Sequence, residues 1–191
     1  KAMNATAANA LLAGDIVKRL RRVTAHRQPQ TQPASVAVLV NNVLALLEHR
    51  LRADAIEVKV HIPESLPQVM VDSVLVTQVI LNLVHNAADA MADATVRRIR
   101  IDAACVSGRQ VRLSIADTGP GVTPHNASRI FDPYFSTKEQ GMGIGLTISR
   151  SIMEALGGSL ECVQAPGQDL GPGAIFVIEL SAKEHVEHSS A

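Results

Sequence analysis

Two runs of alternating apolar and polar residues, VRRIRIDAACV (residues 96–106) and QVRLSIAD (residues 110–117), are separated by the three residues SGR around Gly108. Alternation of period two marks strands with one buried face, and the short connection joins them at a turn. A third alternating run, AIEVKVHI (residues 55–62), ends at Pro63, and two more, GSLECVQA (158–165) and GAIFVIEL (173–180), stand near the chain end. Helical patterns sit between these runs in separate blocks. One follows Ser35 to about Arg52, one follows a possible Asp72 N-cap as SVLVTQVILNLVHNAADAM, and one begins near Gly145. Strands beside their sequence neighbours, with helices in blocks, predict an α+β fold: a two-layer α/β sandwich, a mixed sheet with helices on one face.

Residues 2–26 read as a further helix, preceding that fold, with Leu12, Ile16, Leu20 and Val23 on one stripe and most of its basic residues off it. RQPQTQPAS follows as a linker, because Pro29 and Pro33 disfavour helix and ladder. The expected organisation is a helix over 1–28, a linker over 29–35, the main domain over 36–182 and a frayed tail over 183–191. The narrow stripe and the linker favour a dimer or bundle helix over a helix packed on the main domain.

Composition removes several functions. The 18 basic and 18 acidic residues cancel, which disfavours a polyanion partner such as nucleic acid. With 2% aromatic residues and no Trp, base-stacking platforms for single-stranded nucleic acid are disfavoured. Cys105 and Cys162 lie far apart in apolar runs, fitting a reduced cytoplasmic protein without a metal knuckle. No apolar run reaches the roughly 18 residues of a membrane span.

Three stretches carry chemistry. In KEQGMGIGLTISRSIMEAL, Gly141, Gly143 and Gly145 open an amphipathic helix, an arrangement that presents free N–H groups and a positive dipole end to an anion. The spacing fits neither the dinucleotide fingerprint nor a P-loop, so this stretch alone could be a plain flexible loop. In QVILNLVHNAADAM, Gln78, Asn82 and Asn86 share one helix face, while Val79, Ile80, Leu83 and Ala87 cover the other. DTGPGV, residues 117–122, closes an apolar strand, as either an ordinary turn or a fixed carboxylate beside glycines that a flat base could approach.

Together and in this order, these segments resemble the catalytic ATP-binding domain of sensor histidine kinases. That domain has the Bergerat fold of the wider GHKL group, which includes gyrase, the ninety-kilodalton heat-shock chaperone and MutL. NLVHNAADAM resembles the N box, DTGPGV the first glycine box, IFDPYFSTK the F box and GMGIGLTISRSIMEALGGSL the second glycine box. GPGAIFVIEL is similar to the closing strand, and the likeness covers residues 36–180. The phrasing is most like oxygen-sensing and dicarboxylate-sensing kinases. LAGDIVKRLRRV is similar to the second helix of their dimerisation and phosphotransfer hairpin.

The resemblance implies an ATP pocket between the asparagine helix and the sheet. Asn86 matches the Mg2+ ligand, and Asn82 lines the same site. His85 and Asp89 flank it, either touching phosphate or packing. Asp117 matches the residue that reads the adenine amino group. Guanine would set an acceptor against it, an unmet pair costing about 1–3 kcal/mol, so ATP is preferred. Gly119 and Gly121 imply backbone clearance and a hinge for a mobile lid over residues 122–140, which Phe131 and Phe135 anchor. Lys138 is the candidate for the γ-phosphate, with a solvated lysine as the alternative. Gly141, Met142, Gly143, Ile144, Gly145, Leu146 and Thr147 would surround the triphosphate.

The implied reaction is phosphoryl transfer from ATP to a histidine. The family's acceptor is followed by Glu or Asp, whereas the seven histidines here are followed by Arg, Arg, Ile, Asn, Asn, Val and Ser. The acceptor is therefore expected outside this sequence, on an upstream helix or another chain, and this chain alone should not phosphorylate itself. Implied partners are a second copy through the N-terminal helix and a cognate response regulator, and the parent protein could be tethered to a membrane. An ATP hydrolase of the gyrase kind would need a glutamate where Asn82 stands. A non-catalytic adaptor and a protein-serine kinase sharing the pocket are the remaining alternatives.

Overall fold

The computed structural model describes residues 29–107, 109–138, 141–164 and 172–183. The helix expected at 2–26, with its dimer role, lies outside the described residues, as do Gly108, the last two lid residues and the tail beyond Lys183.

Helix α1, Val36–Ala53, buries Leu39, Val40, Val43, Leu47 and Leu51 on one stripe. Ser35 occupies its N-cap position, but without a side-chain hydrogen bond. Helix α2, Ser73–Ala90, is capped as the sequence predicts: Asp72 Oδ1 accepts from the Val74 and Leu75 amides at 3.1 and 3.3 Å. Its Oδ2 accepts a third bond, from the Gln30 amide at 3.2 Å. Asp72→Ala should therefore lower stability by about 1–2 kcal/mol in urea unfolding, the usual cost of a lost cap.

The linker is not wholly irregular. Strand β1, Gln32–Ala34, pairs antiparallel with a short strand β3, Val69–Val71, which the sequence reading did not resolve. Pro33 sits opposite Met70 in this two-stranded sheet, where both strands are edges and a missing donor is tolerated. Lys183, assigned to the tail, is still tied to the domain through its amide and the Gln68 carbonyl at 2.7 Å.

The remaining strands are β2 (Glu57–His61), β4 (Arg98–Cys105), β5 (Gln110–Asp117), β6 (Ser159–Gln164) and β7 (Ala174–Ser181). They form one five-stranded sheet in the order β2-β4-β5-β7-β6. Only β2 and β4 run parallel, and α2 lies in the crossover between them. Register puts Ile101 beside Ile115, Ile115 beside Phe176, and Leu113 and Leu160 on either side of Ile178. These side chains are buried against α1, α2 and a later helix, α4 (Gly145–Ala155). The opposite face is polar, with Arg112 bonded to Glu179 at 2.8 Å and Arg98 to Glu57 at 2.7 Å. The sheet is mixed and its helices cover one face, as expected.

Candidate nucleotide-binding site

A cavity of ≈ 560 Å³ opens between α2, the end of β5, the lid and the start of α4. Asn82, Asn86, Asp89 and Ala90 line it from one side of α2, following the helical spacing that set the asparagines on one face, and Asp93 joins them from the turn after the helix. Gln78, expected on that face, lies outside the lining.

Asp117 is 2% exposed and reaches the cavity from the end of β5. Its Oδ1 accepts both the Gly119 amide at 2.8 Å and the Ala174 amide at 3.4 Å. Oδ2 has no hydrogen bond among the described residues, so one acceptor remains for a donor entering the cavity. Burial lifts the carboxyl above its ordinary pKa, and the two amides and the charge of Lys138 offset part of that rise. The half-buried Cys162 thiol, pushed up to about 11 by desolvation and then by Asp117, is no nucleophile at neutral pH.

The opposite end is formed by the start of a helix. Helix α4 begins at Gly145, lines the cavity with Gly145 and Leu146, and carries no side-chain cap. Its first amides and its positive dipole end are therefore of a kind that suits an anion. Gly141, Met142, Gly143 and Ile144 line the same end. What already lies against these glycines is protein. A Cβ on Gly145 would stand 2.7 Å from Asn82 Oδ1, and one on Gly143 would stand 2.5 Å from the Phe135 carbonyl oxygen. Their lack of side chains lets the lid and α2 close on the glycine stretch, leaving backbone N–H groups for a ligand.

Other predicted residues divide. Gly121 lines the cavity, whereas Gly119 lies beneath Asp117, where a Cβ would meet Asp117 Oδ1 at 2.9 Å. Thr147 turns away and donates to the Phe131 carbonyl at 2.9 Å, fastening α4 to the lid base. Phe131 is buried under the Arg150 guanidinium, 3.8 Å from its ring centre, and does not line the cavity. Phe135 does line it, with Arg129 over its ring at 4.5 Å. The lid contains one short helix, α3, Pro124–Ala127.

Lys138 lines the cavity, and its Nζ bonds Asp89 Oδ2 at 2.9 Å. His85 does not line it; its Nδ1 lies 2.9 Å from Arg50 Nη1. A guanidinium has only donors, so in this contact Nδ1 is the acceptor. Arg50 was not legible as a site residue, and neither was Ser149, which is 2% exposed and accepts from Asn82 Nδ2 at 3.0 Å. Asp93 lies in the turn beyond the end of α2, where helical spacing from Asn86 no longer applies. Among the described residues no cluster of three or more His, Cys, Asp or Glu could cage a metal. Asn86 lines the cavity, and its side chain has no hydrogen bond among the described residues. One neutral oxygen suits an Mg2+ whose other ligands are phosphate oxygens and water.

An acceptor at one end of a pocket and an uncapped helix start at the other define an α+β domain shaped for an anionic ligand with a polar head. Residues 71–184 match the family described as histidine kinase-, DNA gyrase B-, and HSP90-like ATPase, and the chain belongs to that family. It is 33% identical over 180 residues to the C4-dicarboxylate transport sensor protein DctS of Rhodobacter capsulatus, covering 91% of this chain and 26% of DctS. It is 32% identical over 159 residues to the sensor protein FixL of Bradyrhizobium diazoefficiens, covering 83% of this chain and 32% of FixL. The chain thus spans about a quarter to a third of these relatives' length. Among solved structures, full-length ShkA in complex with AMPPNP superposes with a TM-score of 0.75 at 29% identity, covering 91% of this chain and 36% of ShkA. The mycobacterial sensor histidine kinase MprB superposes with a TM-score of 0.71 at 26% identity, covering 81% of this chain and 99% of MprB's. No helix among the described residues is long and apolar enough to cross a membrane.

Proposed function

We propose that this chain is the catalytic domain of a two-component sensor histidine kinase, binding Mg2+-ATP and passing its γ-phosphoryl to a histidine outside the sequence given. The observation that carries this reading is Asp117: a buried carboxylate with one oxygen held by two amides and the other left for the adenine amino group. The triphosphate would extend toward the uncapped start of α4, with Asn86 holding Mg2+ against it. An imidazole nitrogen then attacks the γ-phosphorus in line, an N–P bond forms, the bridging P–O bond breaks and ADP leaves. This domain's part is to orient the phosphates and exclude water.

Hydrolysis is disfavoured, because Asn82 offers an amide where a water-activating base would stand, and its Nδ2 is bonded to Ser149. A histidine that is followed by an acidic residue on a partner helix would receive the phosphoryl group and pass it to a response regulator. Dimerisation through residues 2–26 belongs to the same reading.

Calorimetric titration with a non-hydrolysable ATP analogue, with and without Mg2+, tests it. Binding should tighten at least about tenfold with Mg2+, and Asn86→Ala should remove that dependence. A folded chain that binds no analogue would leave the non-catalytic adaptor in its place.

A further inference from the structure

Lys138 is the one cation lining the cavity among the described residues, against the three aspartates Asp89, Asp93 and Asp117. It is not waiting in solvent, since its Nζ is held by Asp89. Asp89 is also bonded by Arg50 Nη2, which comes from α1 and does not line the cavity. The same guanidinium donates to Asp54 at 3.3 Å and to His85, so its direction is fixed. Arg50 lies in no glycine or asparagine motif and precedes the matched family region.

We infer that Asp89 is a latch for the lid: it holds Lys138 before nucleotide arrives, and Arg50 makes the hand-over of that lysine to the terminal phosphate possible. The inference rests on the nucleotide reading above. If Lys138 left a carboxylate with no other partner, Asp89 would be stranded beside an incoming polyphosphate. Arg50 remains behind it and keeps the charge compensated. Desolvation alone would raise the Asp89 pKa, but bonds from Arg50 and Lys138 hold it low while both are in place. Asp89 and Lys138 are 40% and 42% exposed, which makes their bond weak enough to exchange. Arg50 is thus a positioning residue, acting through Asp89.

The signs of the effects separate this from a structural role. Asp89→Asn frees the lysine and should tighten a non-hydrolysable ATP analogue about three- to fivefold, leaving ADP nearly unchanged. Arg50→Ala deprives Asp89 of its second partner, strengthens its hold on Lys138 and should weaken the analogue by a similar factor. In the Asp89→Asn background the Arg50→Ala effect should vanish. Weaker analogue binding in Asp89→Asn overturns the latch, as does an Arg50→Ala loss that persists in the double variant, since that would be long-range attraction to phosphate. Hydrogen exchange at the amides of residues 136–138 without nucleotide gives a second readout, with faster exchange expected in Asp89→Asn. If the folded wild-type chain binds no nucleotide, the nucleotide reading and the hand-over fall. Exchange then judges the resting contact alone, and unchanged protection overturns it.

Discussion

Asp117→Asn will lose adenine nucleotide binding by about tenfold to a hundredfold while the domain stays folded. Both amides that bond Asp117 bond the same oxygen, Oδ1. Asparagine keeps an oxygen there, so Gly119 and Ala174 retain their acceptor. What changes is the other position, which becomes an NH2 donor facing the adenine NH2 donor. Two donors meeting in a desolvated pocket cost about 1–3 kcal/mol, and losing the charge-assisted bond adds to that. The same change removes a group that guanine's acceptor oxygen opposes, so preference for ATP over GTP should narrow. Stability moves in the opposite direction. Because burial raises the folded-state pKa of Asp117, the stability linked to its protonated form is present below the ordinary carboxylate pKa. It is lost as pH rises through the raised folded value. At neutral pH the wild-type domain therefore carries a buried charge that the asparagine variant lacks. Thermal unfolding at pH 7 should show Asp117→Asn equal to or above wild type, with the difference shrinking in acid. Joint loss of binding and stability would mean that Asp117 serves the fold and leave the adenine contact without support.

Asp117 also shows why some of the site could be read from the chain and some could not. Local chemistry was legible. β5 ends at Asp117 as its alternation predicts, Asp72 caps α2, and the spacing of Asn82 and Asn86 puts both in one cavity. Contacts made by folding across long separations were not. Arg50 meets Asp89 39 residues away, and Asn82 meets Ser149 67 residues away. Neither separation leaves a periodic trace, because each depends on how α1 or α4 packs against α2. β1 and β3 escaped for a different reason. Three residues are too few to show a period, and Pro33 argues against a strand unless its edge position is known. The glycines were legible as places where something lies close. At several of them, however, the structure answers with protein backbone or side chain, which only the fold could supply.

Gly121 makes that last distinction measurable. Its φ is +73°, and a Cβ there would stand 1.8 Å from the carbonyl oxygen of Pro172. Gly157, after the end of α4, has nearly the same backbone, φ +71°, but nothing lies within 4 Å of its added Cβ. Its amide bonds the Glu154 carbonyl at 3.0 Å and the next amide bonds Met153 at 2.9 Å, a helix-ending turn that favours glycine for its left-handed conformation alone. Gly157→Ala should therefore cost only the left-handed penalty, about 1–2 kcal/mol in urea unfolding. Gly121→Ala carries that penalty plus a collision with backbone that has no rotamer to relieve it, adding about 1–3 kcal/mol. The collision also pushes on the segment just before Ala174, whose amide bonds Asp117. Gly121→Ala should thus weaken nucleotide binding even at temperatures where it is fully folded, whereas Gly157→Ala should leave binding untouched. Equal destabilisation by the two substitutions would show that the segment around Pro172 yields freely. Asp117 would then owe its position to Gly119 and the end of β5 alone.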